Sequence, residues 1–191
     1  MKSFILILSI FLLTENNNLI GQNFDFRNTQ WGMDSLQVKK IEKSKKINIS
    51  KKLAFLFDGK LADLDAKIFY EFSALNQLYH TKYFIDLDNK STQSYVDNFL
   101  LLQKSLTEKY KEPVSKKAIA LDGSAVKDNK WVSALNSYNM SLETVWKTDK
   151  TVITLSLFCV KNELVLTLNY ISIEYEKKIE EEKRIQLLKD I

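Results

Sequence analysis

The fold class follows from residues 62–72, which read Ala-Asp-Leu-Asp-Ala-Lys-Ile-Phe-Tyr-Glu-Phe. Apolar residues occupy every second position from Ala62 to Phe72, and the positions between them are mostly charged. An alternation with a period of two predicts a strand that is buried on one face only. The Asp58-Gly59 pair just before it favours a two-residue hairpin turn, because both residues tolerate positive φ. We therefore expect an antiparallel sheet with one face on the core.

The rest of the chain predicts helices around two sets of three strands. Asp34 is suited to cap a first helix, and apolar residues at helical spacing predict a long helix over 92–110, before Pro113. A last helix is expected over 174–188. Strands are predicted at 53–57, 60–72, 78–87, 140–147, 152–160 and 164–173, with a loop or short hairpin at 114–130. The predicted fold is α+β, in the order helix, three strands, helix, three strands, helix, with an antiparallel sheet packed against the helices.

The composition favours one domain. The 191 residues include only 4 Gly and 1 Pro, and no linker rich in Pro, Gly or Ser divides the chain. Residues 22–191 are therefore expected to form a single α+β domain. The stretch from Tyr70 to Leu78 is weakly similar to the stretch from Ser156 to Leu164. Shared hairpin chemistry explains this similarity nearly as well as an internal duplication does.

The first 21 residues have the pattern of a secretory signal peptide. Lys2 is followed by an apolar run from Phe4 to Leu13, then by polar residues and Gly21. The apolar run is about half the ~20 residues that a membrane span needs. We expect cleavage after Gly21, a periplasmic or secreted mature chain, and no transmembrane span in that chain. No cysteine lies near the junction, which excludes a lipid anchor on an N-terminal cysteine.

Lysine dominates the basic residues of this chain. The net charge is +4, and Arg27 and Arg184 are the only arginines. Arginine is the usual residue for reading bases and phosphates, so nucleic acid is not an expected partner. The region from Lys39 to Lys52 carries seven lysines and one acid. It is the expected contact for a protein or an anionic envelope component, although a solvated helix and loop explains the same run.

No residue is assigned a catalytic, cofactor-binding or metal-binding role. His80 is the only histidine, and no nucleophile motif accompanies it, which favours an ordinary surface histidine over a general base. Asp63, Asp65 and Glu71 suit calcium or glycosidic chemistry, but their alternation with lysine favours a solvated face. Cys159, the sole cysteine, alternates with apolar residues and is expected to be a small buried hydrophobe.

Aromatic residues make up 12% of the chain and suit either a ligand pocket or the core. Trp146 shares a strand face with Leu142, which favours the core for this tryptophan. Tyr79 is expected to point inward. Phe69 and Phe84 are expected to point outward, where either a helix covers them or they form an exposed patch for a partner.

Two short motifs resemble those of small exported envelope proteins. Trp31-Gly32-Met33-Asp34, followed by Val38, is similar to their Gly-Met-(Ser/Thr/Asp)-x-x-x-Val helix start, and residues 106–113 resemble their Leu-x-x-x-Tyr-Gly-x-Pro helix end. These proteins include the SmpA-type lipoprotein of the outer-membrane barrel-assembly machinery. The resemblance implies an envelope location and an α+β fold, and it transfers no functional residue. This chain departs from the pattern in lacking a lipobox cysteine and in having Lys111 in place of the glycine.

These observations predict an exported protein that is not an enzyme. The first hypothesis is an envelope interaction or assembly-accessory module that uses the sheet surface and the lysine-rich region. The alternative is a periplasmic carrier for a small molecule or lipid, with an aromatic-lined cavity. An enclosed cavity would favour the carrier, and an apolar outer patch near Phe69 and Phe84 the interaction module. An acid and a hydroxyl beside His80 would favour a third hypothesis, a hydrolase.

Overall fold

The computed structural model describes residues 24–87 and 90–189 of the chain. The predicted signal peptide, residues 1–21, and its cleavage after Gly21 lie outside the described residues. Within the described ranges, none of the helices combines the length and the apolar character that a membrane span requires.

A single antiparallel sheet organises the described residues. Its strands are β1 (Lys45–Ile47), β2 (Ala54–Leu61), β3 (Leu64–Phe72), β4 (Leu78–Ile85), β5 (Ser115–Ala120), β6 (Met140–Lys147), β7 (Thr151–Val160) and β8 (Glu163–Ser172). The spatial order is β1-β2-β3-β4-β8-β7-β6-β5, so two four-stranded meanders meet where β4 pairs with β8. The two similar stretches of sequence form equivalent hairpins, β3–β4 and β7–β8, in these two halves.

The helices α1 (Ser35–Ile41), α2 (Thr92–Tyr110) and α3 (Trp131–Asn136) cover one face of this sheet. The last helix, α4 (Ile173–Lys189), follows β8 directly, and a short 3₁₀ helix lies at Asp128–Lys130. The Asp34 carboxylate accepts from the Gln37 N–H at 2.8 Å, and the Gln37 amide oxygen accepts from the Asp34 N–H at 2.9 Å. This capping box confirms the predicted start of α1. The α+β class, the antiparallel sheet and the bounds of α2 are also confirmed.

The predicted order of elements is wrong, because each half has four strands rather than three. The observed order is helix, four strands, helix, strand, short helix, three strands, helix. β1 is only three residues long and begins with two lysines, so it carries no readable alternation. β5 lies inside the segment 114–130. It is an edge strand with two lysines, and the chain turns back after it through an Ile119–Ala125 bridge, so the segment shows no clear alternation of apolar and polar residues.

The hairpin turn predicted at Asp58-Gly59 is misplaced. β2 runs through both residues, and the chain turns instead at Ala62-Asp63, where Ala62 takes a φ of 52°. Gly59 is opposite Ala66, and a Cβ atom added to it would lie 2.4 Å from Cδ1 of Ile68. This glycine therefore permits close packing between neighbouring strands instead of forming a turn.

The second half of the core lies between α2 and strands β6 to β8. Trp146 and Leu155 are fully buried there, as predicted for Trp146. Phe99 and Leu106 of α2 pack into the same cluster. Cys159 follows the core-side alternation of β7 but is only half-buried, because it lies near the end of the strand.

The first half of the core is covered by the segment before α1 and by α1 itself. The ring centroid of Phe26 lies 5.6, 5.1 and 5.2 Å from those of Tyr70, Tyr83 and Tyr170. Val38 of α1 is fully buried in the same cluster. The two coverings therefore meet above β4 and β8, at the middle of the sheet.

A β-bulge interrupts the pairing of β3 with β4. Glu71 is opposite His80 and Phe72 is opposite Leu78, so Tyr79 is the extra residue. Tyr79 is half-buried and does not belong to the core, so its predicted inward orientation is wrong. The bulge restores the alternation from His80 onward and brings His80 beside Glu71 on the face away from the core.

Candidate functional site

The face of the sheet opposite the core forms the candidate site, which we call the open face. Its centre is a row of paired positions in which Phe69 lies opposite Lys82 and Lys82 lies opposite Asn169. The helices α1, α2 and α3 place their buried side chains in the core, and α4 has no buried side chain among those described. The helices α1, α2 and α3 therefore leave the open face uncovered, and α4 borders it beside the bulge, where the charge of Glu176 acts on Tyr79.

An aromatic pair dominates the first half of the open face. The rings of Phe69 and Phe84 lie 6.4 Å apart at an interplanar angle of 77°, an edge-to-face arrangement. The ammonium groups of Lys51 and Lys82 lie 5.5 Å from the ring centroid of Phe69 and 5.2 Å from that of Phe84. The predicted outward positions of both phenylalanines are confirmed, and Phe84 is 37% exposed. Phe69 is half-buried, so Phe84 is the more accessible ring of the pair.

A hydrogen-bonded chain of polar side chains borders this pair. The Glu71 carboxylate accepts from Nδ1 of His80 at 2.9 Å and from the Lys51 ammonium. Nε2 of His80 lies 3.4 Å from the side-chain oxygen of Asn169, whose nitrogen lies 3.4 Å from Oγ1 of Thr167. The hydrogen bond from His80, followed by that from Lys51, outweighs burial and lowers the pKa of Glu71 to about 2.

The surroundings of His80 contain only part of what a hydrolase requires. Glu71 orients the ring through Nδ1, as the acid of a catalytic triad would. In the part of the chain that the structure describes, the group at Nε2 is the Asn169 amide, and no serine or threonine hydroxyl lies within hydrogen-bond distance of it. The arrangement orients an imidazole, and it contains no activated nucleophile among the described residues.

The predicted carboxylate group does not assemble. Asp63 lies in the exposed turn after β2, and Asp65 pairs with Lys60 at 3.3 Å with both side chains exposed. Glu71 lies six residues after Asp65 on β3, which at the rise of an extended strand places the two residues roughly 20 Å apart. Among the described residues, no three His, Cys, Asp or Glu side chains come together as a metal site would require.

The lysine-rich region is divided among successive elements of the fold. Lys39 and Lys40 lie in the last turn of α1, where cations complement the helix dipole. Lys45 and Lys46 lie on β1, where charge protects the edge of the sheet from pairing with another chain. Lys51 is the member that reaches the aromatic pair and Glu71.

Lys82 is the feature of the open face that sequence reasoning missed. It is half-buried, and burial lowers its pKa, although the charge of Glu71 partly opposes this effect. No carboxylate of the described residues lies within ion-pair distance of it, whereas Glu71, Asp65 and Glu143 are each paired with another lysine. Its outward position follows from strand alternation. The sequence does not reveal that β4 pairs with β8, which places Asn169 rather than a carboxylate opposite Lys82.

The edges of the sheet are poor binding sites by comparison. β1 is short and rich in lysine. At the other edge of the sheet, the turn after β5 folds back over β5. The Ala120 N–H donates to the Ser124 carbonyl at 2.8 Å, and the Val126 N–H donates to the Ala118 carbonyl at 2.9 Å. Partner recognition by added strands therefore has little free backbone to use, which leaves the open face as the larger available surface.

Acid is expected to weaken the contribution of Glu71 to stability. Its pKa in the folded state, about 2, lies below its ordinary value of 4.5. The stabilisation is therefore complete above about pH 5 and is lost as the pH falls towards 2. We expect Glu71→Gln to cost about 1–2 kcal/mol at pH 5, after allowance for screening of the exposed Lys51 partner, and less than half of that near pH 3. Urea unfolding of both proteins at each pH measures this, and a pH-independent difference contradicts it.

A second polar cluster, buried on the core side, was not predicted. The Glu42 side chain is 4% exposed and pairs with Nε of Arg27 at 3.2 Å. It also accepts from the Tyr70 hydroxyl at 2.7 Å and from the Ser44 N–H at 2.9 Å. Burial opposes ionisation, but the hydrogen bonds from Tyr70 and Ser44 and the charge of Arg27 hold the pKa of Glu42 below its usual value. Glu42 therefore joins the end of α1 to the sheet.

Comparison of this chain with protein-family models, with curated proteins and with solved structures finds no match.

Proposed function

We propose that this chain is a non-catalytic interaction module of the cell envelope, whose open face docks on a partner protein. The observation that carries this proposal is the Phe69–Phe84 pair, in which Phe84 is 37% exposed and Phe69 half-buried, on a sheet face that α1, α2 and α3 leave uncovered and with a lysine beside each ring. Aromatic side chains are enriched in the cores of protein interfaces. The predicted signal peptide and the resemblance to exported envelope proteins support the envelope location.

The charges of the open face favour a partner that presents carboxylates among apolar side chains. Glu71 and Glu143 are already paired with Lys51 and Lys117, whereas Lys82 lacks an ion pair among the described residues. A half-buried ammonium without a counter-ion gains most when a partner supplies a carboxylate and excludes water around it. Lys82 is therefore the expected centre of the polar recognition, next to the phenylalanine anchors.

The carrier alternative has less support. The clefts lined by described residues have volumes of about 250–450 Å³ and open to solvent. Large side chains such as Trp146, Tyr70 and Phe99 fill the interior between sheet and helices. An enclosed, aromatic-lined cavity for a lipid is not among these features.

Photo-crosslinking in the cells that make the protein tests the docking surface. A benzophenone amino acid at Phe84 of the full chain is expected to form a discrete adduct with one partner, and the same probe at Leu101 is not. Leu101 is 59% exposed on α2, so it reports random collisions from the opposite side of the sheet. Lys82→Gln should weaken the Phe84 adduct about tenfold, the effect of losing one buried charge-assisted contact, and Lys82→Arg should preserve it. Equal adducts at both positions, or none at Phe84, would refute the proposed surface.

A further inference from the structure

A groove crosses the core side of the molecule where its two coverings meet. The segment before α1 forms one wall, and the last turn of α2 forms the other. Two adjoining clefts of about 250 and 290 Å³ share Phe24, Asp25, Lys109, Tyr110 and Tyr170. We call these two clefts the seam groove. It lies above β4 and β8, on the side of the sheet opposite the open face.

The floor of the seam groove carries tyrosine hydroxyls, and those of Tyr170 and Tyr110 are hydrogen-bonded to each other. Burial raises the pKa of Tyr83 and, together with the neighbouring Tyr110, that of Tyr170. Both phenols therefore remain protonated across the physiological range. Nη1 of Arg27 lies 3.5 Å from the Tyr83 oxygen, so this hydroxyl is placed to accept from arginine and to donate its own proton to a ligand.

Cations outnumber carboxylates along the walls. Arg27, Lys109 and Lys150 line the two clefts against Asp25 and Asp149. The carboxylate of Asp25 already accepts from the Trp31 N–H at 2.9 Å, which reduces its demand for another partner.

Arg27 retains unused hydrogen-bonding capacity. Its Nε is paired with Glu42 at 3.2 Å, but its Nη1 contacts, to the Lys60 carbonyl and the Tyr83 hydroxyl, are both as long as 3.5 Å. A guanidinium has five N–H donors, and this side chain is 30% exposed. An anion in the groove would therefore receive shorter hydrogen bonds than Arg27 now makes.

We propose that the seam groove binds a small organic anion with a flat, aromatic body. The anionic group, a carboxylate or a sulfonate-like group, is held by Arg27 and Lys109 with the help of the tyrosine hydroxyls. The body lies against the rings of Tyr110 and Tyr170, which are two of the five residues common to both clefts. Ring faces and a few convergent donors are the usual composition of small-molecule sites. This site is separate from the proposed docking face and does not depend on it.

Titration with an anionic anilinonaphthalene sulfonate dye tests the groove in the folded protein. We expect saturable binding to one site, weakened about tenfold by Lys109→Glu because a charge-assisted contact is lost and reversed. Lys104→Glu is the matched control, since Lys104 is exposed on the same helix and lines neither cleft. Tyr170→Phe should also weaken binding, and both groove variants should keep the wild-type circular dichroism spectrum.

Two further measurements decide whether the dye reports the proposed site. Phe84→Ser, on the opposite side of the sheet, should leave the dissociation constant unchanged. The uncharged dye N-phenylnaphthylamine should bind at least about tenfold more weakly, because it has no anionic group for Arg27 and Lys109. Equal binding by Lys109→Glu and Lys104→Glu, loss of binding in Phe84→Ser, or equal affinity for the uncharged dye would each overturn the proposal.

Discussion

Replacing Glu42 by alanine is expected to lower the free energy of unfolding by about 3 kcal/mol. The carboxylate is nearly inaccessible and accepts from Tyr70 and Ser44 while it pairs with Arg27. Its removal leaves the buried Tyr70 hydroxyl and the half-buried Ser44 N–H without this acceptor and leaves Arg27 without a counter-ion. Because the Arg27 side chain is 30% exposed, water can partly solvate its charge, which holds the cost at the lower end of the range for a broken buried pair.

Urea unfolding measures this loss, and two variants identify its cause. Glu112→Ala removes an exposed glutamate and is expected to change stability by less than about 0.5 kcal/mol. Tyr70→Phe alone removes one of the donors, and its effect should not add to that of Glu42→Ala. A coupling of about 1–2 kcal/mol is expected between the two substitutions, because the residues share a hydrogen bond. A loss below about 1 kcal/mol for Glu42→Ala would mean that the buried cluster is not a structural anchor.

The elements with a local, repeated pattern could be predicted from the sequence. The alternation of β3 placed Ile68 and Tyr70 in the core and Phe69 on the opposite face. The apolar stripe of α2 and the Asp34 capping box were equally local, because each depends on residues at most four positions apart. The outward position of Phe84 follows from the same alternation, so both aromatic residues of the open face can be predicted from the sequence.

Features that depend on distant pairing could not be predicted. His80 meets Asn169 because β4 pairs with β8, although 89 residues separate the two in the chain. Glu42 is the only acid in a run of seven lysines, and its partner Tyr70 lies on β3, 28 residues away. Gly59 resembled a turn residue because its actual role, room for Ile68, exists only after β2 and β3 pair. Local propensity cannot distinguish such cases, since the deciding contact is tertiary.

Gly32→Ala is expected to lower the free energy of unfolding by about 2–3 kcal/mol, through two separable effects. Gly32 has a φ of +83°, a conformation that costs a residue with a Cβ atom roughly 1 kcal/mol. The added Cβ would also lie 2.2 Å from the hydroxyl oxygen and 2.8 Å from Cζ of Tyr175, which packs against this turn from α4. Overpacking of this kind adds about 1–2 kcal/mol unless the tyrosine moves.

Gly123→Ala separates the two effects, because Gly123 has nearly the same φ, +85°, and nothing within 4 Å of its added Cβ. It should cost only the conformational part, about 1 kcal/mol. In a Tyr175→Ala background, Gly32→Ala should fall to the same value, since the contact that resists the Cβ is gone. Thermal or urea unfolding of the four variants and the wild type gives the cycle. If Gly32→Ala and Gly123→Ala cost the same in the wild-type background, α4 does not hold the turn before α1, and Tyr175 packs there without constraint.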